Sequence, residues 1–143
     1  MWHRRALCSL VMLAALLQGS CGAMQSMGGT NTLISLLTNQ LGVTSNQATG
    51  GVGSILSLAK ERLPAMDFTA LTQLIPGAES FMKSAKDLGA VTGPVGDRTG
   101  LTAAFSRLGM GSDMVPKFTQ ILSDFVGKAG GQPASNLVMQ AVK

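Results

Sequence analysis

The chain of 143 residues has no Tyr, one Trp, one His and two Cys. All four of those rare side chains stand near the start, as Trp2, His3, Cys8 and Cys21. Everything after Ala23 is free of Trp, Tyr, His and Cys. Histidine is the usual general base and metal ligand near neutral pH, and cysteine supplies thiolate nucleophiles and soft metal ligands. Neither chemistry is open to residues 24–143. No disulfide can brace them either, so stability has to come from an apolar core. Charge is scarce too. Lys and Arg number eleven, and without Arg4 and Arg5 nine remain against seven acids, a net charge of +2 for residues 24–143. A basic surface of that size does not argue for nucleic acid. A charge-poor surface argues instead for a partner, self-association or contact with the cell envelope.

The seven acids are Glu61, Asp67, Glu79, Asp87, Asp97, Asp113 and Asp124. No two are close enough in sequence to form an acid–base pair or a calcium loop. Ser80 and Lys83 have the spacing of a serine nucleophile with a lysine base, but they sit in an ordinary amphipathic segment and read as a solvated helix face. The expectation is that the protein is not an enzyme and uses no metal or other cofactor.

What is present at the start is an address. Two arginines in "MWHRR" precede the uncharged run "ALCSLVMLAALL" (Ala6–Leu17), and "QGSCGAM" then offers small residues. That order is a secretory signal peptide. The run of 12 residues is shorter than the roughly 20 that span a bilayer as a helix. Processing is expected in the segment Ser20, Cys21, Gly22, Ala23, with cleavage after Ala23 favoured. The alternative is cleavage before Cys21 and lipidation of its thiol. Gly19-Ser20-Cys21 suits that, but Gln18 stands where an apolar residue belongs. The first reading places the protein in the periplasm or outside the cell; the second anchors it to a membrane through Cys21.

The remainder reads as all-α: a small helical bundle built from two related helix–turn–helix hairpins. The expected division is a signal peptide over 1–23, a flexible lead over 24–30 and one helical domain over 31–143, with a Gly-rich connector over 88–100. Leu33, Ile34, Leu36, Leu37 and Leu41 make one helix face, which Gly42 ends by taking a left-handed conformation. Thr44 with Gln47 three residues later predicts a capping box. Val52, Ile55, Leu56, Ala59 and Leu63 form the next face, which Pro64 stops. Asp67 is expected to cap a third helix, and Ala78, Phe81, Met82 and Ala85 mark a fourth. Leu101, Ala104, Phe105 and Leu108 mark a fifth, ending at Gly109. Met114, Phe118, Ile121, Leu122 and Phe125 mark a sixth, capped by Ser112 or Asp113. "GKAGGQP" breaks the chain before a last short helix carrying Ala134, Leu137, Val138 and Ala141. No run alternates well enough to predict a strand.

The corner is written twice, as "QLGVTSNQATGGVGSIL" (Gln40–Leu56) and "RLGMGSDMVPKFTQIL" (Arg107–Leu122). In both, Leu-Gly ends one helix and a polar turn starts another, so Leu41 and Leu108 should hold equivalent buried places. The first copy also resembles a DNA-reading helix-turn-helix, yet Ser45–Ala59 has no Lys or Arg to meet phosphates. "TGGVG" lacks the strand and the Lys-Ser/Thr of a phosphate loop. Its glycines, each costing about 1 kcal/mol against Ala within a helix, are expected to let a neighbouring element pack closely. Met residues scattered through the chain suit gap-filling or an adaptable apolar lining; Met82, Met110, Met114 and Phe118 are the candidates for an apolar groove.

The phrases "LLTNQLGVTSNQATGGVGSILSLAKERL", "FTALTQLIPGAES" and "AFSRLGMGSDMVPKFTQILSDFVGKAGG" resemble the VcgC/VcgE-like family of bacterial proteins of unknown function, over roughly Leu33–Val142. The resemblance implies an exported or envelope protein of a Gram-negative bacterium with a helical domain. It carries no assigned activity and no catalytic residues. The expected function is therefore an envelope interaction or scaffolding module, with an envelope protein or a second copy as partner. The alternative is a periplasmic carrier of an apolar ligand such as lipid.

Overall fold

In a computed structural model, which describes residues 28–143, the first corner forms as its residues predict. Helix α1 (Gly28–Leu41) ends and α2 (Ser45–Arg62) begins across three residues. Gly42 has φ +67°, in the left-handed region that a Cβ disfavours. The Thr44 hydroxyl accepts from the Gln47 amide at 3.2 Å, and the Gln47 side-chain oxygen accepts from the Thr44 amide at 3.0 Å. Both halves of the capping box are present, and two donors at the helix start that lack intrahelical partners are satisfied.

Four further helices follow: α3 (Ala65–Leu74), α4 (Ala78–Asp87), α5 (Arg98–Arg107) and α6 (Met114–Val142). The described residues hold no strand, and the fold is all-α. The segment Ser20, Cys21, Gly22 and Ala23, where processing is expected, lies outside the described residues. Of the segment expected as a flexible lead, residues 28–30 belong to α1. The Thr30 hydroxyl donates to the Pro76 carbonyl at 2.7 Å, and a methyl on Gly29 would meet the Pro76 ring, so this end is tied to the α3–α4 turn.

Helix α2 is the centre of the fold. Its sequence predicts one apolar face, but Ala48 and every residue from Gly50 to Ala59 are buried. A helix buried all round is normally apolar all round; this one is rich in Gly and Ser instead. The buried Ser54 and Ser57 hydroxyls donate back to the Gly50 and Gly53 carbonyls at 2.7 and 2.8 Å, so neither is left unpaired. Small size lets neighbours come close. A methyl on Gly53 would lie against the backbone carbonyl of Phe81 and 2.8 Å from the Ala85 Cβ, and one on Gly51 would meet the Phe118 ring. The expected close packing at "TGGVG" is thus a contact of the α2 backbone with α4 at Gly53 and with the Phe118 ring of α6 at Gly51.

The two corners touch. The Gln47 side-chain Nε2 donates to the Leu108 carbonyl at 3.0 Å, and the Leu108 side chain covers Gly50. Gly109 has φ +76°, as the repeat predicts. Leu41 and Leu108 are matched in exposure but only half-buried, packed against the core rather than within it. The second corner differs in its cap: Asp113 has helical backbone angles and makes no cap hydrogen bond. Its carboxylate takes Lys117 at 3.0 Å instead.

Three other boundaries move. Asp67 does not cap α3. Pro64 precedes the first helical residue, with no side-chain cap, and Asp67 lies in the first turn, where its charge suits the helix dipole. The connector is shorter than expected, because Asp97 accepts from the Gly100 amide at 2.9 Å and starts α5 at Arg98. The break near the C-terminus falls at one residue, Gly131, with φ +75° and ψ −170°. Ser123 and Ser135 would be about 18 Å apart in a straight helix, yet their hydroxyls lie at 2.6 Å. Residues after Gly131 therefore fold back along the first half of α6, which makes the separate short helix that the sequence predicts.

Candidate functional site

A groove of about 1010 Å³ opens on the surface of the described residues. Its walls come from four segments. Ser57, Lys60 and Glu61 line it from α2, at the i, i+3, i+4 spacing of one helix face. Glu79, Met82, Lys83 and Lys86 line it from α4, again on one stripe. Phe68 enters from α3, and residues 91–94 close one side. Phe68 and Met82 are half-buried against the core and Val91 is buried, so the groove has an apolar lining below three exposed lysines.

The connector forms this wall because it is held at several points. Both Glu61 carboxylate oxygens accept backbone amides, from Val95 at 2.9 Å and Gly96 at 2.6 Å. Arg107 donates to the Ala90 carbonyl at 3.1 Å. The Ala90 and Val91 amides both donate to the Ala85 carbonyl. Ala90, Val91 and Val95 are buried. A segment whose composition reads as a loose linker is thus packed, and the charge of Glu61 is turned into the connector.

The lysines differ in their surroundings. Lys83 donates to Asp87 at 2.9 Å, and that hydrogen bond, with the charge of Asp87, holds its ammonium above the ordinary lysine range. Among the described residues, Lys60 and Lys86 are in no ion pair. Ser80 and Lys83, considered together as a nucleophile and base, face different hollows. Ser80 lines a groove with Thr30 and Thr49 between α1, α2 and α4, whereas Lys83 faces the lysine groove.

Of the four residues expected to line an apolar groove, Met82 lines this one. Phe118 is fully buried, edge-on to Phe105 with ring centroids 5.0 Å apart. Met110 is buried and Met114 half-buried against the core. Three of the four therefore fill space around the second corner. Sequence reasoning missed Lys60, Phe68, Lys86 and Val91. The spacing of Glu79, Met82, Lys83 and Lys86 on α4 was the available signal.

Among the described residues no group of three or more His, Cys, Asp or Glu is placed to hold a metal ion, and no helix is long and apolar enough to cross a membrane. The model of a family described as protein of unknown function VcgC/VcgE matches residues 14–143, and the chain belongs to that family. No curated protein and no solved structure matches it.

Proposed function

Taking membership of the VcgC/VcgE family as the premise, we propose that the protein is an exported, non-enzymatic helical module of the bacterial envelope that acts by binding, with the groove between α2, α3 and α4 as its binding surface. The observation that carries this reading is the join between the groove and the core. Phe68, Met82 and Val91 pack against core residues while lining an open groove rimmed by Lys60, Lys83 and Lys86. A wall held by the core and by Glu61 is pre-organised, which lowers the ordering cost of binding. The basic N-terminal segment and the apolar run after it support export. A second reading, carriage of an apolar ligand, is favoured by Met82 and Phe68, since the unbranched Met side chain adapts to irregular shapes.

Native mass spectrometry of the protein purified from its source tests the reading. A chain shortened within residues 20–23, retaining a stoichiometric component, is expected. That component would be a protein for the module and a lipid for the carrier. An uncut chain would sink export, and turnover of a defined substrate that one acid substitution abolishes without unfolding would sink the non-enzymatic reading.

A further inference from the structure

The geometry points to a single-chain anionic amphiphile as the ligand of the lysine groove, its chain against Phe68, Met82 and Val91 and its head group on the lysine rim. The inference rests on the reading that this groove is the binding surface. Its chemistry follows from how the lining charges are used. Glu61 also lines the groove; each of its oxygens accepts one amide, from Val95 and Gly96, which turns the carboxylate toward the connector without removing its charge. Lys83 already donates to Asp87. Lys60 on the α2 wall and Lys86 on the α4 wall are in no ion pair among the described residues. An ammonium group has three donors and no acceptor, so what it lacks is an anion. Glu61 and Glu79 are the two acids of the lining, and their charge disfavours a ligand that is negative along its whole length.

The apolar part of the lining sets the rest. Lysine stems can lie along apolar surface while their ammonium heads stay in water, and Lys60 and Lys86 line the same groove as Met82 and Phe68. A ligand that is only an anion would leave that surface unused, and one that is only apolar would leave the lysines unused. A single chain ending in a carboxylate or phosphate uses both.

Methionine-methyl and backbone-amide NMR of the unaltered protein tests this, with dodecanoate and dodecyltrimethylammonium titrated below their micelle concentrations. Acetate and inorganic phosphate serve as head-only controls. Dodecanoate is expected to shift Met82 and the amides of Val91 and Gly93, to leave Met139 on α6 unmoved, and to bind at least tenfold tighter than the cationic amphiphile. The double variant K60E/K86E should lose at least tenfold in affinity for dodecanoate with its helical content retained. Equal affinity for the two head groups overturns the inference, as does phosphate alone binding as well as dodecanoate. The comparison of head groups needs no variant, so it decides the matter even where K60E/K86E fails to fold. If dodecanoate leaves Met82 unmoved while a photo-crosslinker at that position captures an envelope protein, the amphiphile is wrong and the binding surface stands. If neither is seen, both fall.

Discussion

Replacing Gly53 with Ala sets two effects against each other. Helix propensity favours Ala over Gly by about 1 kcal/mol within a helix, so an isolated α2 would gain. The structure reverses the sign. The new methyl would lie on the Phe81 carbonyl, with its carbon at 2.6 Å and the Ala85 Cβ at 2.8 Å. Neither is the end of a flexible side chain, so α4 itself has to move. Overpacking of this kind costs about 1–3 kcal/mol and occasionally more. A displaced α4 also disturbs the seats of Phe81 and Ala85, both buried. The net expectation is a loss of about 1–2 kcal/mol, read as a fall in melting temperature of roughly 3–10 °C for a domain of this size. Two control glycines separate the causes. Gly42→Ala has open space but φ +67°, and should lose about 1 kcal/mol for the left-handed backbone. Gly50→Ala meets the mobile ends of Leu108 and Leu88 and should be close to neutral. Urea and thermal unfolding followed by circular dichroism at 222 nm measures all three. Gly53→Ala as stable as the parent, or more so, would mean that α4 does not press on the α2 backbone at this point.

Leu56→Ala and Leu122→Ala remove fully buried side chains and should each lose about 2–5 kcal/mol by urea unfolding; a loss below 1 kcal/mol at either would contradict its core placement. Glu61→Gln removes a charged acceptor of two connector amides and should weaken the connector by ~1.5 kcal/mol, seen as about tenfold faster hydrogen exchange at Val95 and Gly96; unchanged exchange would show that the connector is held without it. The hydrogen bond from Lys117, with the Lys117 charge, holds the Asp113 carboxyl below the ordinary carboxylate range. Its contribution is therefore present above the unfolded-state value and is lost as pH falls through the depressed one. Lys117→Met should raise the Asp113 midpoint in a carboxyl NMR titration, and an unmoved midpoint would remove the pair as the cause.

The parts legible in the sequence are those where a local conformation demands a residue type. Gly42 and Gly109 must adopt positive φ, and Thr44 with Gln47 forms the capping box within four residues. Asp67 shows the limit of that logic, because an acid near a helix start can sit in the first turn as well as at the cap. The glycines of "TGGVG" pointed to close packing, but the burial of α2 on every side depends on α4, α5 and α6 together. The groove was legible only in part for the same reason. Met82 belongs to it, yet Lys60, Phe68 and Val91 reach it from segments whose meeting is tertiary. Nothing local marks the Gly-rich connector as packed, because the carboxylate that holds it stands 34 residues before Val95. Met110, Met114 and Phe118 lie in or against the core, which their residue types suit as well as a ligand surface.

That the chain works by binding in the groove between α2, α3 and α4 is tested most directly by photo-crosslinking in intact cells of the source organism. A benzophenone amino acid would replace the half-buried Met82 of the groove, or the exposed Gln140 near the C-terminus. One discrete adduct is expected from position 82, weakened by K60E/K86E, and none from position 140. Equal labelling from both positions, or no adduct from position 82 in folded and exported protein, would contradict it.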